Sequence, residues 1–217
     1  SHGFSPQVVV TDGSNLYPTL LAELWPTARH QLCVFHVIKD INACVFDALR
    51  RFRRKLAAKR GRKRRRGRPS KNQQRARTRQ GQTKKEQAYF VWKHRHLIVT
   101  RPEHLNGTER RWLSQMFRYL PESRMLRDFV LAIYRLFDPE QSPHQARCRR
   151  AAMVKGAEYL ADPDLAKALG MLSREKFDKM MAFLHSPAAK RVRTNNHVER
   201  TNRRLRHFEK VRYKWRR

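Results

Sequence analysis

Apolar and polar positions change their period several times within the first fifty-odd residues. Gln7-Val8-Val9-Val10-Thr11 is a short β-branched run closed by Asp12-Gly13-Ser14, which predicts a buried strand followed by a turn. Leu16, Leu20, Leu21 and Leu24 then recur at helical spacing, with Ser14 as a cap and Pro26 as a stop. His30 to Phe35 reads as a second buried strand. From His36 onward Val37, Ile41, Cys44, Val45, Leu49 and Phe52 lie three or four apart, the stripe of an amphipathic helix. Strand, helix, strand, helix in this order predicts an α/β unit with a parallel sheet.

Residues 56–85 break the pattern. They are rich in Arg, Lys, Gln and Gly and hold too little apolar surface to offset ordering entropy, which predicts a disordered basic linker. Residues 86–190 return to helical periods. Trp112, Met116, Phe117 and Leu120 fit one helix, and Met125, Phe129, Ile133, Leu136 and Phe137 another. Ala151, Val154, Ala157 and Leu160 suggest a third, and Phe177, Met180, Met181 and Leu184 a fourth. Trp92, Trp112 and Tyr119 are assigned to the helical core. Residues 191–217 close the chain with a helix capped by Thr194 or Asn195, in which Val198, Leu205 and Phe208 face inward and the arginines outward.

Charge narrows the partner. The chain carries 50 Lys and Arg against 18 Asp and Glu, a formal net charge of +32. Residues 50–85 hold 19 of those cations and no acid, leaving 31 cations against 18 acids elsewhere. The excess therefore belongs to the whole chain, and a polyanion is the partner that relieves its self-repulsion. No apolar run approaches the roughly 18 residues of a membrane span. Three cysteines, Cys33, Cys44 and Cys148, show no zinc-ribbon or finger spacing, which fits a reducing, cytoplasmic location.

Within the basic run, Arg64, Arg65, Arg66 and Arg68 are candidates for DNA contact. Arg66-Gly67-Arg68-Pro69 has the core of an AT-hook, whose arginines enter the minor groove of A·T-rich DNA. Sequence-independent neutralisation of phosphates is the simpler reading of the same residues. Arg203 and Arg204, on the last helix, are further candidates. Tyr213 and Trp215 stand among basic residues near the end, as base contacts or as packed aromatics.

Three small constellations carry candidate chemistry. Asp12 sits where a strand meets a turn, the edge at which sites form in parallel sheets, although Asp-Gly is also ordinary turn chemistry. Cys33-Val34-Phe35-His36 is either a buried cysteine with a capping histidine or half of a metal site without a second ligand pair. Glu199 lies in the first turns of the last helix, beside Asn195, Asn196 and Asn202. A carboxylate there is also favoured by the helix dipole alone.

Taken in order, Asp12, Cys33-x-x-His36 and Asn195-Asn196-His197-Val198-Glu199-Arg200, with a helical stretch between the second and third, resemble the DDE transposases of bacterial insertion sequences and their Mutator-like relatives. The resemblance implies an α/β fold: a ribonuclease-H-like core, here partial, interrupted by an all-α insertion. Residues 1–55 would be the first part of that core, 56–85 a linker, 86–190 the insertion and 191–217 the final glutamate helix. It implies that Asp12 and Glu199 are catalytic and hold Mg²⁺ or Mn²⁺, two ions clamping the attacking and leaving oxygens of an in-line displacement. His36 would orient the site, and the asparagines would support the glutamate helix. The implied partner is double-stranded DNA, as element ends and as target, in a nucleoid-associated bacterial protein. A homo-oligomer of the full-length protein is compatible with this. The first aspartate of the triad is expected several tens of residues before Asp12, and only eleven residues precede it. The chain therefore reads as the C-terminal part of such an enzyme. Three functions stay open: a catalytic fragment, a DNA-binding remnant without catalysis, and a basic RNA-binding protein.

Overall fold

A computed structural model describes residues 5–13, 17–59, 83–187, 191–194 and 196–213, and the side chains of the last stretch from 200 to 208. Its regular elements run β1 (Val8–Thr11), α1 (Tyr17–Leu24), β2 (Arg29–Leu32), α2 (Val34–Ala58), α3 (Lys84–Lys93), α4 (Gly107–Tyr119) and α5 (Glu122–Leu136). They continue with α6 (Pro143–Val154), α7 (Ala157–Leu160), α8 (Pro163–Gly170), α9 (Arg174–Met180) and α10 (Asn196–Tyr213). The chain divides into two compact units. One comprises residues 1–41, 135–156 and 168–217, the other 42–134 and 157–167.

The first unit holds the sheet. β1 and β2 pair in parallel, Val8 opposite Arg29 and Thr11 opposite Leu32, so the pair is α/β in character within an otherwise helical chain. Parallel pairing needs a crossover, and α1 supplies it. Leu20 and Leu24 of α1 are exposed. α9 and the 3-10 turn Ala182–His185 pack against β2. Gln31, fully buried in the middle of β2, fixes them: its side-chain amide donates to the Met180 carbonyl at 2.7 Å, and its carbonyl accepts the Phe183 amide at 2.7 Å. Phe137, Leu172, Phe177, Met181, Phe183 and Leu184 complete this core.

The second unit is helical. Thr83 with Glu86 and Asn106 with Glu109 form capping boxes that start α3 and α4, each satisfying two orphan amides. Val45, Leu49, Val91, Ile98, Met116, Leu126, Phe129 and Ile133 are its buried centre. Two arginines, buried Arg127 and half-buried Arg51, are held by polar partners. Arg127 donates to the carbonyls of Leu97 and Ile98 at 3.1 and 2.8 Å, and also to that of Thr100. Arg51 bridges Asp162 at 2.5 Å and Asp164 at 3.0 Å. Buried polar groups persist when their lone pairs and protons are met in this way.

Several expectations from the sequence change. The second strand stops at Leu32, and Val34 and Phe35 lie in the first turn of α2. The last ladder bond is Cys33 N–H to Thr11 C=O at 2.7 Å, and the Cys33 carbonyl then accepts the Val37 amide at 3.4 Å, so the chain coils there. The expected third helix is two: α6 ends at Val154 and α7 begins at Ala157, with Gly156 between them. The fourth stripe is split between α9 and the 3-10 turn. At the edges of the expected linker, α2 runs to Ala58 with Leu56 buried, and Thr83 caps α3; residues 60–82 lie outside the described residues. Trp112 is 38% exposed and stacks on His94 at 4.4 Å. In α10, Leu205 and Phe208 are exposed rather than inward; every described side chain from 200 to 208 is exposed, so no element among the described residues covers that stripe, and the Val198 side chain lies outside the described ones.

Candidate active site

The carboxyl edge of the sheet is built by two consecutive backbone amides. Cys33 N–H reaches the Thr11 carbonyl at 2.7 Å, and Val34 N–H reaches the Arg193 carbonyl at 3.0 Å. The end of β2 is therefore flanked by the end of β1 and by the segment 191–194. Asp12 follows Thr11 directly. Glu199 lies six residues beyond Arg193, in α10. Three stretches far apart in the chain thus meet at one sheet edge.

Local structure fixes each approach. Gly13 has φ +87°, a left-handed conformation that an L side chain adopts only with strain. The chain therefore turns immediately after Asp12, whose residue is exposed. On β2, His30 is half-buried, and its Nε2 lies 2.7 Å from the Thr11 hydroxyl. Burial, and then the charge of Lys179, hold its pKa below the usual 6.5, so the ring beside Thr11 is neutral at pH 7. Cys33 is buried, and His36 is half-buried with its ring edge-on to Phe35 at 5.6 Å.

Two arginines tie down the approach to α10. Arg193 donates to the Phe137 carbonyl at 2.7 Å and lies 5.9 Å from the Phe183 ring centre. Arg191 donates to the carbonyls of Ser186 (3.1 Å) and Pro139. Sequence reading does not single out His30, Gln31, Arg191 or Arg193. Gln31 stands in a strand of sequence Arg-His-Gln-Leu, where a polar side chain gives no signal of its own. The arginines give none, since their partners are backbone carbonyls.

Of the residues expected at the site, Asp12, Cys33 and His36 lie at or next to this edge. Asn202, Arg203 and Arg204 are exposed along α10. Asn196 and Glu199 lie in its first turns, and their side chains are outside the described ones, as are Asn195, Arg64, Arg65, Arg66 and Arg68 altogether. Among the described residues no group of three or more His, Cys, Asp or Glu gathers to hold a metal ion, so Cys33 and His36 belong to no such cluster. The exposed Asp12 carboxylate is nonetheless the hard oxygen donor that a magnesium-class cation takes. No described helix is long and apolar enough to cross a membrane.

The model of a family described as Transposase, the ISL3 type of the DDE class, matches residues 5–216. No curated protein matches the chain. No solved structure matches it either.

Proposed function

We propose, for a chain that belongs to the DDE insertion-sequence transposase family, that the carboxyl edge of its sheet takes part in metal-dependent DNA strand cleavage and strand transfer. The observation that carries the reading is the pair of hydrogen bonds from Cys33 and Val34 to Thr11 and Arg193. They tie Thr11, next to Asp12, and Arg193, six residues before Glu199, to the end of β2.

In this reading Asp12 and Glu199 hold Mg²⁺ or Mn²⁺. When bound, the cations supply charge neutralisation for the phosphoryl group in flight. The Gly13 turn fixes the backbone just after Asp12, and the ties on Arg191 and Arg193 fix the segment that leads into α10. His30 keeps the Thr11 hydroxyl oriented beside Asp12, and His36 braces the start of α2. Asn195, Asn196 and Asn202 support the glutamate helix. Water attacks a phosphodiester at the element end, the P–O3′ bond breaks, and a 3′-hydroxyl is freed. That hydroxyl then attacks a target phosphodiester, forming one P–O bond as another breaks and releasing a target 3′-hydroxyl. The core is of the ribonuclease-H type, and the partner is double-stranded DNA.

The test is nicking and joining of duplex DNA by the protein, with Mn²⁺ or Mg²⁺ and with EDTA. Asp12→Asn and Glu199→Gln should each lower the rate by about a hundredfold or more while leaving DNA affinity near that of the parent. Undiminished nicking by Asp12→Asn would overturn the assignment. DNA binding without any metal-dependent nicking in the parent would favour the non-catalytic reading.

A further inference from the structure

A second cluster of functional chemistry lies in the helical unit. Three guanidiniums surround one indole: Arg50 and Arg53 from α2, and Arg95 from the 3-10 turn Arg95–Ile98, at 5.5, 5.0 and 4.7 Å from the Trp92 ring centre. Among the described residues, Arg50 of the three is ion-paired, to Asp47 one turn earlier. Arg95 spends one N–H on the Trp92 carbonyl at 3.0 Å. Arg53 makes no ion pair among the described residues, and its Nε is buried without a hydrogen-bond partner. One stacked arginine is ordinary aromatic packing. Three like charges on one half-buried ring repel one another, and the ring alone does not neutralise them.

We propose that Arg50, Arg53 and Arg95, ordered by Trp92, form a docking site for the phosphate backbone of duplex DNA. A guanidinium presents a planar fork that matches phosphate oxygens two at a time. Stacking on the indole orders that fork beforehand, so less side-chain freedom is lost when phosphate arrives. The surrounding chain points to nucleic acid. Residues 60–82, with eleven Lys or Arg and no acid, connect α2 to α3, two of the elements that build the cluster. A phosphate track engaged by that segment is therefore tethered beside these arginines. The choice of DNA over other polyanions rests on the functional reading above; the cluster as an anion site does not.

The experiment measures affinity for a labelled duplex by fluorescence anisotropy in EDTA across a salt series, so failure of the nicking chemistry cannot affect it. The Arg50→Gln/Arg53→Gln/Arg95→Gln variant should bind more weakly. Its slope of log affinity against log salt should shrink by about 0.9 for each phosphate that is no longer neutralised. A control with three exposed arginines of α4 replaced, Arg110→Gln/Arg111→Gln/Arg118→Gln, should keep a slope near that of the parent. The corresponding triple Arg→Lys variant at the cluster retains the charge and covers the case in which the glutamine variant does not fold; it should keep the slope but lose affinity. The proposal is overturned by an unchanged slope in the glutamine variant, by an equal loss in the control, or by parental affinity in the lysine variant. Tighter binding of single-stranded RNA or an acidic peptide than of duplex DNA at this cluster would overturn the partner.

Discussion

The Val34 amide donates to the Arg193 carbonyl at 3.0 Å, joining the start of α2 to the segment that leads into α10. The Arg193 side chain holds the same segment from the other end, through the Phe137 carbonyl. Replacing Arg193 by Ala leaves that carbonyl without this donor and removes the packing on Phe183. The expected loss is about 1–3 kcal/mol of unfolding free energy, read from urea denaturation, with Arg193→Lys recovering part of it. A change within about 0.5 kcal/mol, the range of neutral surface substitutions, would mean that the tie does not hold the segment.

Gln31 satisfies two backbone groups 149 and 152 positions away. Gln31→Leu keeps the volume but strands the Met180 carbonyl and the Phe183 amide in the core. Orphaned buried groups cost about 1–3 kcal/mol each, so the variant should lose about 2–6 kcal/mol. Chemical denaturation checks this, and a variant as stable as the parent would show that these groups find other partners.

His30 provides a pH dependence. Its folded pKa lies below 6.5, chiefly through burial and then through Lys179. The unfolded chain therefore binds this proton more readily, and stability rises with pH wherever it does so. The contribution is present above about pH 6.5, the unfolded value, and is lost as pH falls through the folded pKa. The melting temperature should drop between pH 7 and pH 5, and His30→Gln should flatten that part of the profile. An identical profile in the variant would assign the dependence to other groups.

The capping box at Thr83 and the burial of Leu56 set the limits of a safe deletion. Replacing residues 60–82 by a neutral linker of equal length spares both and removes eleven positive charges. Duplex affinity should fall and its salt slope flatten, while the melting temperature stays close to the parent's. A parental salt slope would exclude these residues from phosphate contact.

Much of this architecture is written locally. The β-branched run at Val8–Val10, the stripe from Ile41 to Leu49 and the Asp12-Gly13 turn each carry their own period or backbone preference, and each is found where the sequence put it. The match to the transposase family over residues 5–216 agrees with the resemblance to insertion-sequence transposases. Period alone misplaced the end of β2, because an apolar run such as Leu32-Cys33-Val34-Phe35 suits a buried strand and a helix start equally. The amide of Val34 goes to Arg193 instead of continuing the β1 ladder, and that choice is made 159 positions along the chain.

The sequence by itself determined the elements, the excess of positive charge and the order of the candidate acidic residues, since these depend on side-chain type and on neighbours a few positions away. Tertiary structure decided what those elements touch. It put a glutamine at the centre of the sheet's packing, turned two arginines onto carbonyls before α10, and gathered three guanidiniums around Trp92. It also left Leu205 and Phe208 in solvent. The reason is that backbone carbonyls and a single aromatic ring carry no signature in a string of residue types. They become binding partners only when distant segments are brought within hydrogen-bonding or van der Waals reach.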